Sequence, residues 1–524
     1  MSGQDRGRDA RGGAGQGGRG RGGAGGRGQG KDAGRDARGR ERGSARLRGD
    51  QARSSQAPSQ RRRAADPART AAFDVLRDVD ASDAYANLVL PPLLRERRIE
   101  GRDAAFATEL AYGTLRLRGR YDAILSRCSS RPLTETDPPV LDALRLGSHQ
   151  LLGMRVPPHA AVSETVGLVR DRIGAGAAQF VNAVLRRVAE RDLDTWLEEL
   201  RLDAPDETAA LAATQSHPAW IVRALRESLV GNGLTADDLP ALLEADNTAP
   251  RVTLVARPGL ADPDEVGADT GGALGRWAPT AVVLPGSDPA AVPGVGEGRV
   301  GVQDEGSQLV TLALAAADLG TPGPDTGERW LDLCAGPGGK AALLGALALE
   351  RGATVVANEV APHRARLVER SVRAVREAVT EVRTADGREI GAQEPAAYDR
   401  VLLDAPCTGL GALRRRPESR WRRTPTDLQD LTALQRELLA SALDAVRPGG
   451  LVAYVTCSPH LAETRVVVDD VLRRRDDVER IDAAAAVRRV SGDAISLAGR
   501  LDVQLWPHVH GTDAMHLTLL RRRA

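Results

Sequence analysis

GERWLDLCAGPGGKAALLGALALERG (residues 327–352) decides the fold. An apolar run ends in a glycine turn, and the turn opens directly into a segment with apolar residues at three- and four-residue spacing. That is a strand, a tight turn and a helix. Gly336, Gly338 and Gly339 let the backbone approach a ligand, and the helix N-terminus offers free N–H groups to an anion. The turn is not a P-loop: the pattern G-x-x-x-x-G-K-[ST] needs Gly at 334 and Ser or Thr at 341, where Cys334 and Ala341 stand. The dinucleotide pattern G-x-G-x-x-G is not met either.

Downstream the same alternation continues. ATVVANEV (353–360) reads as a strand and PHRARLVERSVRAVREAV as a helix. EVRTADG and YDRVLLDAP read as strands. DLTALQRELLASALDAV is a helix expected to stop at RPGG, and LVAYVTCS is a strand. Two further strand candidates lie around Gln504 and over Met515–Leu520. Strand–helix alternation implies a mostly parallel sheet covered on both faces, with ligands bound beyond the carboxyl ends of the strands. Glu359 ends the second strand, 27 residues after Asp332, where a carboxylate can accept both hydroxyls of a ribose; Asp386 ends the third and Asp404 the fourth.

Upstream, residues 196–305 are mixed, with SHPAWIVRALRESL as a helix and RVTLVARP and TAVVLPG as strands: a small α+β connector. Residues 66–195 show helical periodicity in about five or six segments and read as an all-α domain. Residues 1–65 are Arg/Gly low-complexity sequence with too little apolar surface to offset chain entropy, so disorder is expected. The 306–524 segment is the α/β domain of this four-part chain.

The formal net charge of +1 hides an asymmetry: residues 1–63 hold 17 Lys and Arg against 6 Asp and Glu, and the rest of the chain is acidic. The tail is either an auxiliary nucleic-acid tether or a solvated segment without a partner. Only two of the 72 basic residues are lysines, Lys31 and Lys340, so a lysine at the end of the glycine turn is informative. Four cysteines without a CxxC pair, no secretory h-region and no long apolar run fit a reducing, cytoplasmic setting without a membrane span.

Two cysteines fall at strand ends: Cys407 in Asp404-Ala-Pro-Cys407, and Cys457 in Thr456-Cys457-Ser458. If their strands are adjacent, the two thiols meet over the ligand edge. Such an arrangement suits alkylation of a pyrimidine at C5. Cytosine C5 is a poor nucleophile; a thiolate added to C6 pushes electron density onto it, and a base later removes the C5 proton. With an ordinary thiol pKa of about 8.5, the site must stabilise the thiolate. Asp404 can hold the N3/N4 edge of the base. On these grounds either cysteine serves as nucleophile.

DLCAGPGGK (332–340), LLDAPCTGLGALRRRPESRW (402–421), AYVTCSPHLAET (453–464) and GTDAMHLTLLRR (511–522) together resemble the successive motifs of the Sun/Fmu family of bacterial 16S rRNA cytosine-C5 methyltransferases. SHPAW and VQDEGSQLV resemble the connector of those enzymes, and residues 67–194 their NusB-like RNA-binding domain. The resemblance implies a Rossmann-like class I methyltransferase domain that uses S-adenosylmethionine. It implies that Cys334, Ala335, Gly336, Pro337, Gly338, Gly339, Lys340, Glu359, Asp386 and Asp404 bind that cofactor. Cys457 is then the nucleophile, while Cys407 assists turnover and product release. The implied partner is RNA, 16S rRNA or a small-subunit precursor, bound by a monomer, with no metal. Two departures stand out: Gly336 where alanine is common, expected to be harmless, and Glu359 where many members have Asp. The arginine run Arg414–Arg423, with Trp421, is expected to grip phosphates and stack on a base.

Overall fold

Beyond the glycine turn, the sheet it enters is built from residues that alternate between two cores. In the computed structural model, which describes residues 66–82, 84–286, 288–321, 327–492 and 494–524, Trp330 joins one buried cluster and Leu331 the other. This is the period-two pattern of a strand covered on both faces. The Arg/Gly tail, with its expected disorder, lies outside the described residues.

Seven helices form the first layer: α1 (Pro67–Ser82), α2 (Ala86–Glu96), α3 (Gly101–Arg116), α4 (Arg118–Cys128), α5 (Pro138–Leu152), α6 (Pro158–Arg172) and α7 (Ala175–Val188). They enclose Leu76, Leu110, Ile124, Leu144 and Leu185. Five or six were expected. The stretch 103–125 is two helices meeting at Leu117, and α2 contains Pro91 and Pro92, which read as a break. Prolines disfavour a helix by removing N–H donors, but α2 still buries Ala86 and Leu90.

Four more helices follow, α8 (Leu193–Leu202), α9 (Glu207–Thr214), α10 (Ala219–Gly231) and α11 (Leu239–Asn247). The connector sheet contains β1 (Thr253–Ala256), β2 (Ala273–Leu274), β3 (Ala281–Val283) and β4 (Val300–Val302). Their order is β2-β3-β1-β4, all antiparallel. The expected strands are β1 and β3. The junctions expected at 195/196 and 305/306 fall inside α8 and the helix Glu305–Ala316.

The large sheet contains β5 (Arg329–Asp332), β6 (Thr354–Asn358), β7 (Val379–Arg383), β8 (Tyr398–Asp404), β9 (Val446–Thr456), β10 (Val478–Ile481), β11 (Val503–Gln504) and β12 (His516–Arg522). Its order is β10-β12-β9-β8-β5-β6-β7, with β11 beside β12. β7, β6, β5, β8 and β9 are parallel; β12 runs antiparallel to β9, and β10 and β11 each pair antiparallel with β12. The winding reverses at β5, so the crevice for a ligand opens at the carboxyl ends of β5, β6 and β8.

Two expected boundaries move. The helix after β6 spans only Pro362–Ser371, followed by a 3-10 turn, Arg373–Val375. The helix before β9 runs Pro425–Ala445, and RPGG belongs to the start of β9. Gly449 there has φ of 80°, and a Cβ on it would collide with Thr321. The glycines thus allow a close approach and do not cap the helix. No described helix is long and apolar enough to cross a membrane.

Candidate active site

β5 delivers Asp332 and the glycine turn to the crevice, and the helix Gly339–Arg351 starts from it. Ala335 N–H donates to Asn358 O at 2.8 Å, tying the turn to β6. Gly338 has φ of 109°, and a Cβ there would strike Ser371 and the Val368 backbone. Pro337 O accepts from Ser371 Oγ at 3.1 Å. Cys334 is part of the turn; burial pushes its thiol pKa well up, which disfavours the thiolate.

Glu359, buried at the end of β6, accepts from Gly336 N at 3.0 Å and from Ala361 N at 3.0 Å. Arg364 donates to Gly336 O at 2.6 Å and lies 3.5 Å from Glu359. A Cβ at position 336 would lie 2.2 Å from Glu359 Oε2. The two departures noted in the sequence are therefore one: a carboxylate longer than Asp fits because residue 336 has no side chain. Asp386 is different. It caps the short helix Gly387–Gln393 and pairs with Arg388 at 2.6 Å. Those contacts hold its carboxyl below the usual range.

Asp404, at the end of β8, accepts from Lys340 Nζ at 2.8 Å. Burial pulls the Lys340 pKa down, but Asp404, Cys457 and Asp332 outweigh it and the ammonium is favoured. Asp332 is fully buried, and only a poor contact with the Cys334 amide serves its carboxylate. Burial first, then Asp404, push its pKa up to about 8.

The adjacent strands β8 and β9 bring the thiols together: Cys407 Sγ lies 3.4 Å from Cys457 Sγ. Their surroundings differ. A hydrogen bond from Cys407 holds the Cys457 pKa below the ordinary thiol value, and the charges of Lys340 and Arg416 act in the same direction. Cys407 is pushed well up by the same hydrogen bond, by burial, and by the Glu463 and Asp404 carboxylates. The pair is thus polarised, with the negative charge favoured on Cys457.

Glu463, which sequence reasoning did not single out, clips the two loops together. It is fully buried, accepts from Thr408 N at 2.7 Å and from Gln435 Nε2 at 3.2 Å, and is also bonded to Thr408 Oγ1. Gly411 N donates to Cys457 O at 2.9 Å. The position of Glu463 inside AYVTCSPHLAET was its only signal. Asp332 was likewise visible only as the residue before the glycine turn.

Most of the arginine run, expected to grip phosphates, is engaged inside the protein, while Arg416 is exposed. Arg414 and Arg415 share Asp304 and Asp513, at 2.6–3.1 Å. Arg420 is fully buried and donates to Arg116 O, Ser216 O, Asp246 O and Asn247 Oδ1. Arg422 donates to Val79 O and Ala84 O, and Glu418 accepts from Ala86 N. Trp421 packs where a side chain on Gly119 would sit. Arg416 and Arg422 lie over Tyr85 at 5.0 and 5.2 Å. The run fastens the helical layer and the connector to the α/β domain. A one-dimensional sequence displays the charge but not the carbonyls that meet it.

The crevice fits S-adenosylmethionine. Glu359 stands at the β6 end for a ribose, the Gly339 helix start suits a carboxylate, and buried acceptors on Asp332 and Gln303 lack good partners. Comparisons with known proteins agree. The model of the 16S rRNA methyltransferase RsmB/F family matches residues 321–521, and that of the NusB family residues 66–190. A protein of Mycobacterium tuberculosis (strain ATCC 25618 / H37Rv) that bears the name "Putative methyltransferase Rv1407" is 50% identical over 463 residues, which cover 88% of this chain and 98% of that protein. Ribosomal RNA small subunit methyltransferase B of Salmonella paratyphi B is 32% identical over 417 residues, covering 78% of this chain and 90% of the relative. The crystal structure of PH0851 shares the fold, with a TM-score of 0.71 at 20% identity over 87% of this chain and 98% of that one. With half its residues shared along nearly the whole of one relative, and both family models matched in order, the chain belongs to the RsmB/F family of 16S rRNA methyltransferases, with a NusB-family domain ahead of the methyltransferase domain.

Proposed function

We propose that the protein methylates carbon 5 of a cytosine in RNA, specifically small-subunit rRNA, through a transient bond between Cys457 Sγ and cytosine C6. The observation that carries this reading is the polarised thiol pair: two sulfurs 3.4 Å apart at neighbouring strand ends, with Lys340 and Arg416 favouring charge on one of them. Cys334, Ala335, Gly336, Pro337, Gly338, Gly339, Lys340 and Glu359 form the cofactor cradle, with Asp404 at its substrate side. When bound, S-adenosylmethionine supplies an electrophilic methyl carbon.

The target base must leave its stack to reach the cleft. Cys457 thiolate adds to C6, and the C5=C6 electron pair becomes available at C5. Asp404 accepts from the N4 amino group and, fixed by Lys340, orients the ring. After C5 has gained its methyl group, a base removes the C5 proton, the C5=C6 bond re-forms and Cys457 leaves with its electron pair. Cys407, favoured as a neutral thiol by its hydrogen bond to Cys457 and by burial, with Glu463 and Asp404 acting in the same direction, stabilises the departing thiolate through its S–H.

The test is asymmetric. Cys457→Ala abolishes both 5-methylcytosine and covalent RNA adducts. Cys407→Ala accumulates an adduct that survives denaturing gels. Reversed phenotypes would exchange the two roles. Bisulfite mapping of rRNA from a deletion strain identifies the base; an unchanged map would remove rRNA as the substrate.

A further inference from the structure

The stretch VQDEGSQ (302–308) joins the connector to the α/β domain, and nearly all its polar side chains have a structural duty. Asp304 accepts from Gly306 N and pairs with Arg414 and Arg415. Glu305 accepts from the backbone of Trp277 and Ala278. Gln308 donates to Leu254 O and Gln303 O, and its own oxygen meets Thr280. Ser307 accepts from Gln303 Nε2 at 3.1 Å.

Gln303 is the exception. Its side chain is 7% exposed, yet Oε1 has no hydrogen-bond partner. Leaving a buried acceptor unmet costs roughly 1–3 kcal/mol, so such an atom calls for a partner, and beside a crevice that partner can be a ligand. The oxygen faces the cofactor cradle: a Cβ built on Gly339, the first residue of the helix after the glycine turn, would lie 4.0 Å from it. An acceptor needs a donor. The amino-acid end of S-adenosylmethionine carries such a donor in its α-ammonium group, while the free amides of the helix start take its carboxylate.

We infer that Gln303 Oε1 accepts a hydrogen bond from the α-ammonium group of S-adenosylmethionine, seating the amino-acid end of the cofactor against the start of the helix Gly339–Arg351. This rests on the glycine turn being the cofactor cradle. Gln303 is then a binding residue contributed by the connector, and the connector is part of the site, not a spacer.

Calorimetric binding to the purified full chain tests it with three probes. S-adenosylmethionine has both the ammonium and the carboxylate, its decarboxylated form keeps the ammonium alone, and methylthioadenosine lacks both. Gln303→Leu weakens the first two by roughly ten- to a hundred-fold, the range for a hydrogen bond to a charged group, and leaves methylthioadenosine within about two-fold. Gln303→Glu, which keeps an acceptor, restores binding of both ammonium-bearing probes. Unchanged S-adenosylmethionine affinity in Gln303→Leu overturns the inference, as does an equal loss on all three probes, which would mean a structural role. Glu359→Ala separates the underlying reading: it weakens methylthioadenosine if the glycine turn is the cradle. If it does not, the cradle and this inference fall together, whatever Gln303→Leu shows.

Discussion

The cofactor crevice and the arginine run are both dense in polar motif residues, and Cys407 and Arg414 lie only seven positions apart. They resolve in opposite ways. At the crevice, buried acceptors on Asp332 and Gln303 are left without good partners, and the surroundings of the two thiols pull the Cys457 pKa down and push the Cys407 pKa up. In the run, Arg414, Arg415 and Arg420 are engaged by carboxylates and carbonyls from distant parts of the chain. Both regions hold buried atoms without a partner, Arg420 Nε and Trp421 Nε1 among them; those of the crevice differ in lying at the strand end and helix start where a ligand can be seated.

The contrast predicts separable phenotypes. Arg420→Ala has the largest effect on stability, about 3–5 kcal/mol, because it strands several buried carbonyls and leaves the helical layer poorly fastened. Thermal unfolding and limited proteolysis near residue 195 read this out; a variant as stable as the parent would make the run dispensable.

Gly336→Ala comes next. It drives a methyl group into Glu359 and lowers cofactor affinity roughly ten-fold or more, by loss of the Glu359 bond to the Gly336 amide. Adding Glu359→Asp recovers most of the loss. Additive losses in the double variant would break the coupling.

Lys340→Met shifts the pH profile. Cys457 is held below the ordinary thiol range by the Cys407 hydrogen bond and then by Lys340. Removing the ammonium raises the thiol pKa, so the acidic limb of single-turnover methylation moves to higher pH. A limb that stays in place would remove Lys340 from thiolate stabilisation.

On the architectural side, burial pushes the Asp246 pKa up to about 7, from an ordinary value near 3.8. The unfolded chain releases this proton first, so the contribution of Asp246 to stability declines as pH rises from about 4 to about 7. Asp246→Asn flattens that slope in denaturant unfolding, and an unaltered slope would place the titration elsewhere. The smallest effect is expected from Arg416→Ala: loss of its contact with Tyr85 costs about 0.5–1 kcal/mol.

Periodicity and turns made the sheet legible, because a doubly covered strand must be apolar on both faces: β5, β6, β8 and β9 lie where the pattern put them. Local chemistry hid α2, whose prolines read as a break; the helix does stop before RPGG as expected, but Gly449 there serves a close approach to Thr321 and not a cap. The sequence by itself determined the strand-end positions of the glycine turn, Glu359, Asp404, Cys407 and Cys457, since motif and strand end coincide along the chain. Only the tertiary structure decided that the two sulfurs meet in unlike surroundings, why Gly336 accompanies Glu359, and that most of the arginine run is a fastening. Each depends on groups far apart in sequence. A pKa is set by whatever lies within a few ångströms, and a buried arginine is defined by the carbonyls it meets.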